Sequence, residues 1–124
     1  MPLKILTNNR SVFERFIHQG QDVLFVEGHA KRVIEDCRSW IYEGWQLAAD
    51  PLAGYLSRPN PYHTFFLQRD QDGKVRGKHL LRLERTAEQW SKYDNVIPMT
   101  DKLWRDYAEL DCSIASSTLD GLLK

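Results

Sequence analysis

The stretch Asp22–Glu27, DVLFVE, is the part of the sequence that decides the fold. Its centre, Val23–Val26, is continuously apolar, and Gly20 and Gly28 bound it on either side. A short unbroken apolar run between glycines is typical of a strand covered on both faces, as strands are in parallel sheets. The sequence therefore predicts an α/β protein built around a parallel sheet.

Strand and helix patterns alternate around that run. Leu3–Thr7 (LKILT) predicts a strand, and the pair Ser11 and Glu14 forms a capping box that predicts a helix ending near Gly20. A second helix is predicted over His29–Ala49, because its apolar residues follow one face.

One further strand and two further helices complete the predicted fold. His63–Gln68 (HTFFLQ) is an apolar strand, and apolar residues at helical spacing predict helices over Leu80–Trp90 and Leu103–Ile114. Right-handed crossovers would give three parallel strands in the order 2-1-3, flanked on both faces by about four helices. We expect residues 1–124 to form one small three-layer α/β domain, with fraying in the C-terminal segment Ser113–Lys124.

Composition argues against several classes of protein. The chain has 17 Lys+Arg and 17 Asp+Glu, so its zero net charge gives no global field that attracts nucleic acid or an anionic membrane. No apolar run is long enough for a signal peptide or a membrane span, so a cytoplasmic protein is expected. The two cysteines and four histidines lack metal-ligand spacing, so neither a metal nor a cofactor is predicted.

Two turns at predicted strand ends offer candidate ligand-binding residues. Asn8 and Asn9 follow the first strand and open a helix, where they would either help to hold a phosphate or carboxylate or simply cap the helix. Glu27 and Gly28 follow the second strand. Glu27 is either an acid placed to bind a ribose hydroxyl or a first-turn acid that complements the helix dipole, with Gly28 supplying backbone freedom.

The loop and strand Asp50–Leu67, DPLAGYLSRPNPYHTFFL, contain the other candidate residues. The prolines of this segment stiffen the chain that presents the candidate residues Arg58, Asn60, Tyr62 and His63. A guanidinium, an amide, a phenol and an imidazole together suit a small polar ligand or a peptide terminus. The structural alternative is that Tyr62 packs, Asn60 bonds its own backbone and Arg58 is solvated.

Charged and aromatic residues elsewhere have simpler interpretations. The basic run Lys74–Arg85 is interrupted by Glu84 and predicts the solvated face of a helix, so nucleic acid is not an expected partner. The tryptophans lie at helical spacings, which favours core packing. An exposed Trp45 would instead indicate a partner surface, and Trp45 or Trp104 packed across a twofold axis would indicate a homo-oligomer.

The order of these segments resembles the GrdX family. The series LTNN, FVEG, a long helix, DPLAGYLSRPNPYHTFFL and LLRLERTAEQW carries the resemblance over Leu3–Asp111, and its most specific part is PLAG followed by Pro59, Pro61 and Tyr62. The chain departs from the family pattern at Trp45 and Asp50, where histidines are usual. Members are small proteins associated with glycine, sarcosine and betaine reductase gene clusters of anaerobic bacteria. The family has no assigned activity, so the resemblance implies an accessory role and transfers no mechanism.

Two functional hypotheses follow from these residues. The first is an accessory or binding protein that recognises a small anionic ligand or a protein partner through the strand-end turns and the Asp50–Tyr62 loop. It names no catalytic residue, and it requires the loop to fold back, because the loop enters a parallel third strand from its amino end. The second is a small enzyme for an amino-acid-derived or phosphorylated substrate, with His63 or Glu27 as acid/base and Arg58 as anion clamp.

Overall fold

The structure is a computed structural model that describes residues 2–51, 60–69, 72–91 and 100–124. Within these ranges the chain forms a mixed α/β fold with one four-stranded sheet and four helices, which confirms the predicted fold class. The elements in chain order are β1 (Leu3–Thr7), α1 (Arg10–His18), β2 (Val23–Phe25), α2 (Ala30–Tyr42), β3 (Trp45–Leu47), β4 (Thr64–Arg69), α3 (Gly77–Ser91) and α4 (Asp101–Leu122). None of the described helices has the length and apolar content needed to cross a membrane.

The sheet has the order β2-β1-β4-β3 and is mixed, not parallel. β1 and β2 pair in parallel, as predicted. β4, the predicted third strand, lies on the other side of β1 as expected but runs antiparallel to it, with Thr7 opposite Thr64. The reason is β3, which follows α2 and pairs antiparallel with β4. The crossover from β2 therefore reaches β3, and the chain then turns back into β4.

β3 is missing from the sequence-based prediction, which extended the second helix to Ala49. α2 ends at Tyr42, and Gly44 follows with a φ of 99°. This conformation suits glycine. A Cβ on Gly44 would also collide with the carbonyl oxygen of Gly73, so the close approach between the two turns requires glycine there.

Helices cover both faces of the sheet and give the predicted three layers. Alternate residues of each strand enter opposite cores. On one face, Leu6 and Phe65 join the core formed with α2 and α3; on the other, Ile5 and Phe66 join the core formed with α1 and α4. The expectation that Val23–Val26 is covered on both faces is wrong, because β2 is an edge strand and Leu24 is 39% exposed.

The buried stripe of α4 differs from the predicted one. It consists of Tyr107, Asp111, Ala115 and Leu119, at four-residue spacing, whereas Trp104 is exposed. Residues four apart lie on one face of a helix. α4 continues to Leu122, through the segment for which fraying is expected.

Candidate functional site

The three irregular segments singled out in the sequence meet at one end of the sheet. Because β4 is antiparallel to β1, the start of β4 at Thr64 lies beside the end of β1 at Thr7. Residues 60–63, which directly precede β4, thus lie beside the Asn8 turn. We call the group formed here the strand-end cluster; its members are Thr7, Asn8, Asn9, Gly28, Asn60, Pro61, Tyr62, His63, Thr64 and Asp111.

Asn8 connects all three segments. Its side-chain Nδ2 donates to the carbonyl oxygens of Gly28 and Pro61, each at 2.8 Å, and its Oδ1 accepts from the backbone N–H of His63 at 2.9 Å. An asparagine amide has two N–H donors and one carbonyl acceptor. Both donors and the acceptor are therefore used inside the protein, and Asn8 fixes the entry to β4 against the two strand-end turns.

Asn9 is the N-cap of α1. Its Oδ1 accepts from the N–H of Ser11 at 3.1 Å, so the capping interpretation of this turn is correct, although the cap is Asn9 and not Ser11. Its Nδ2 donates to the carbonyl of Ala108 and to Asp111 Oδ2, at 2.9 and 3.0 Å. Asn9 thereby joins the beginning of α1 to the middle of α4.

A chain of hydroxyl groups leads from the Asn9 turn to a buried acid. The N–H of Asn9 donates to Thr7 Oγ1 at 3.0 Å, Thr7 Oγ1 lies 2.9 Å from Thr64 Oγ1, and Thr64 Oγ1 donates to Asp111 Oδ2 at 3.0 Å. Since the Thr64 hydroxyl gives its only proton to Asp111, the Thr7 hydroxyl donates to Thr64. Asp111 is completely buried, and hydrogen bonds of this kind are what make burial of a carboxylate tolerable.

Thr7, Thr64 and Asp111 are the members of the cluster that the sequence analysis missed. Asp111 carried a readable signal, because an acid stands between Tyr107 and Ala115 at the spacing of a buried helical stripe. The two threonines gave no comparable signal, since each is an ordinary strand residue.

Asn60 and Tyr62 have contacts close to those of the structural alternative, in which Tyr62 packs and Asn60 bonds its own backbone. Asn60 is buried, its Oδ1 accepts from the N–H of Tyr62, and its Nδ2 donates to the carbonyl of Tyr107, both at 2.9 Å. Asn60 thus bonds the backbone two residues on, as predicted, and also joins the loop to α4. Tyr62 is half-buried and packs edge to face on Trp104, with 5.7 Å between ring centroids.

His63 is fully buried beneath the cluster. Its ring lies 4.5 Å from that of Phe65 and 5.5 Å from that of Trp90. Burial lowers the pKa of His63 from 6.5 to about 3, opposed by a hydrogen bond to the backbone of Pro51. The imidazole is therefore neutral near pH 7, and its pKa is far from the range that suits a general acid or base at that pH.

Of the remaining candidates, Gly28 belongs to the cluster and Glu27 does not. Glu27 is exposed, and α2 begins at Ala30 with His29 as N-cap, so Glu27 precedes the helix and is not a first-turn acid. Gly28 has a φ of 120°, which supports its predicted role in backbone freedom. Arg58 lies outside the described residues.

The described part of the cluster is closely packed. The cavity next to it, lined by Pro51, Thr64 and Ala115 among others, has a volume of about 10 Å³, enough for about one water molecule. The described residues contain no group of three His, Cys, Asp or Glu side chains that could hold a metal ion. What these residues build is a rigid polar support, with Tyr62 and Trp104 at its outer side.

No curated protein and no solved structure matches this sequence. A family model described as GrdX-like protein matches residues 4–120, nearly the whole chain, in agreement with the resemblance over Leu3–Asp111. The chain therefore belongs to the GrdX-like protein family.

Proposed function

We propose that this GrdX-like protein is a non-enzymatic accessory protein that binds a partner protein through the surface around Tyr62 and Trp104, together with the Asp50–Tyr62 loop. The observation that carries the proposal is the aromatic pair itself: Trp104 is 39% exposed and packs edge to face on Tyr62. Tryptophan and tyrosine are the residues most often found at the energetic centres of protein interfaces.

The strand-end cluster supports this proposal by holding the pair in a fixed position. Tyr62 is held by the Asn60 side chain, and Asn60 in turn bonds the Tyr107 carbonyl on the helix that carries Trp104. A surface fixed in advance loses less side-chain and loop entropy on binding. The cluster is thus suited to presenting a recognition surface.

The same hydrogen bonds make a small anionic ligand at the Asn8 turn less favourable. The side-chain N–H groups of Asn8 and Asn9 already donate to protein acceptors, and the Asn9 side chain caps the helix N-terminus. An anion at this turn would have to compete with those bonds. The enzymatic alternative loses support in a similar way, because His63 is buried and neutral and Glu27 stands apart from the cluster.

Affinity capture from an extract of the source organism, using Trp104→Ala beside the wild-type protein, tests the proposal. Tyr42→Ala is the matched control, because Tyr42 is an aromatic residue of α2 with 61% exposure. We expect a partner that is retained by the wild-type protein and by Tyr42→Ala but lost from Trp104→Ala. The interaction should then be reproduced with the purified partner.

Two results would contradict the proposal. Equal recovery of every captured protein by the wild-type protein and both variants would remove the Tyr62–Trp104 surface as a binding site. A rise in melting temperature with inorganic phosphate that is abolished by Asn9→Ala would instead support anion binding at the strand-end turn.

A further inference from the structure

One side of α3 carries exposed cations in a row. Lys78, Arg82 and Arg85 are spaced by four and three residues and so lie on one face of the helix, opposite the buried residues Leu83 and Trp90. We call Lys78, Leu81, Arg82 and Arg85, with Val75 just before the helix, the basic stripe.

On α3 and the turn before it, the described acids are Asp72, Glu84 and Glu88, and Glu88 lies three residues after Arg85. Glu84 Oε1 accepts from Arg38 Nε of α2 at 2.7 Å, and Asp72 Oδ2 accepts from Arg76 at 2.7 Å. No described acid lies within ion-pair distance of Lys78, Arg82 or Arg85. The stripe therefore keeps its positive charge although the whole chain is neutral.

A buried histidine, His79, lies beside these cations. His79 accepts a hydrogen bond at Nδ1 from the N–H of Leu47, at 3.2 Å. Burial lowers the pKa of His79, and the positive charges of Lys78, Arg82 and Arg76 lower it further. Lys78 and Arg82 thus lie close enough to His79 to disfavour its charged form.

Apolar side chains lie among the cations. Leu81 is 54% exposed and Val75 is 46% exposed. Leu81 lies beside Lys78 and Arg85 on the helix surface, three and four residues away, and a surface that contacts a partner gains from burying an exposed leucine.

We infer that the basic stripe docks an acidic amphipathic segment of a partner protein, with Asp or Glu side chains against Lys78, Arg82 and Arg85 and an aliphatic side chain against Leu81. This surface is separate from the one around Trp104. Nucleic acid fits less well, since the stripe has no aromatic side chain for base stacking and the protein has no net positive charge. An anionic membrane also fits less well, because two exposed aliphatic residues offer little area to insert.

Fluorescence anisotropy with a designed peptide tests this inference. The probe is a labelled helical peptide with Glu at positions i, i+4 and i+7 and Leu at i+3, and its control has Lys in place of each Glu. We expect the acidic peptide alone to bind the full-length protein, more weakly as salt is raised. Lys78→Glu/Arg82→Glu should weaken binding by about tenfold or more, and Leu81→Ser should weaken it to a smaller extent.

Lys102→Glu/Lys124→Glu is the matched control, because it makes the same change in net charge at exposed positions in and just after α4, which packs on the opposite face of the sheet from α3. It should bind the acidic peptide as the wild-type protein does, and so should Trp104→Ala. The inference is overturned if the wild-type protein binds the acidic peptide more weakly than about 1 mM, if both double variants lose affinity equally, or if a DNA duplex or phosphatidylserine vesicles bind through Lys78 and Arg82 more tightly than the peptide does.

Discussion

In the strand-end cluster, the side chains of Asn8, Asn9 and Asp111 are buried and form hydrogen bonds to one another or to the backbone. On α3, in contrast, Lys78 and Arg82 face solvent and have no acidic partner among the described residues. Polar groups that are buried and bonded hold the fold in one geometry and have little left to offer a ligand. Exposed charges contribute little to stability and remain available for binding. Richness in polar residues alone thus does not identify the binding surface.

Asp111 should show the largest effect on stability. Asp111→Ala would leave Asn9 Nδ2 and the Thr64 hydroxyl without their buried acceptor, so we expect a loss of about 3 kcal/mol in the free energy of unfolding. Urea denaturation measures this loss. Asp120→Ala, an exposed position on the same helix, is the control and should change stability by less than about 0.5 kcal/mol.

Asp111→Asn refines this test, because it keeps the side-chain volume and one acceptor oxygen. It should be less destabilising than Asp111→Ala. Equal stability of Asp111→Ala and Asp120→Ala would show that the buried network does not hold the strand ends together.

Asn8 should have the next largest effect. Asn8→Ala removes the donors to Gly28 and Pro61 and the acceptor of the His63 N–H, and we expect a loss of about 2 kcal/mol. Hydrogen exchange followed by mass spectrometry should show faster exchange at residues 60–63 and at the Gly28 turn, with little change in α3. Uniformly faster exchange across the whole protein would contradict the specific role of Asn8 as a connection between segments.

His63 gives the buried cluster a dependence on pH. Its pKa is about 3 in the folded protein and 6.5 when unperturbed, so the unfolded state binds the proton first as pH falls. Stability from the neutral imidazole is complete above pH 6.5 and is lost as pH falls toward 3, at up to about 1.4 kcal/mol per pH unit.

Urea denaturation at several pH values from about 4 to about 7 compares wild type with His63→Gln. The His63 imidazole takes up nearly one proton on unfolding at about pH 4 to 5, and the uptake falls to a small fraction by about pH 7. The variant should lose stability less steeply in acid. His79, whose pKa burial also lowers, is present in both proteins, so the difference between them isolates His63. Parallel curves for the two proteins would show that His63 does not titrate on unfolding.

Much of the fold follows from sequence patterns, and its main departure has a definite cause. Apolar runs predicted β1, β2 and β4 and their relative order, since each run is bounded by turn residues. β3 is only three residues long, and Trp45 continues the helical spacing of α2, so nothing in the periodicity separates it from the helix. The direction of β4 depends on β3 and was therefore wrong as well.

Of the residues in the strand-end cluster, those at turns were singled out from the sequence, and the buried partners of those turns were not. Asn8, Gly28 and Asn60 stand at turns that are recognisable from sequence, and all three lie in the strand-end cluster. The partners of these turns are far away in the chain: Asn9 bonds Asp111 across 102 positions. Local spacing does not contain such pairings. The predicted solvated face on α3, in contrast, was readable because helical periodicity is local.

The basic stripe should have the smallest effect on stability. Lys78→Glu/Arg82→Glu removes no described ion pair and places acids in the first two turns of α3, where the helix dipole favours negative charge near the start. We therefore expect the free energy of unfolding to change by less than about 0.5 kcal/mol, measured by urea denaturation beside Lys102→Glu/Lys124→Glu. A loss as large as that from Asn8→Ala would show that Lys78 and Arg82 help to stabilise the fold. Peptide binding by the double variant would then have to be measured at a temperature at which the variant is folded.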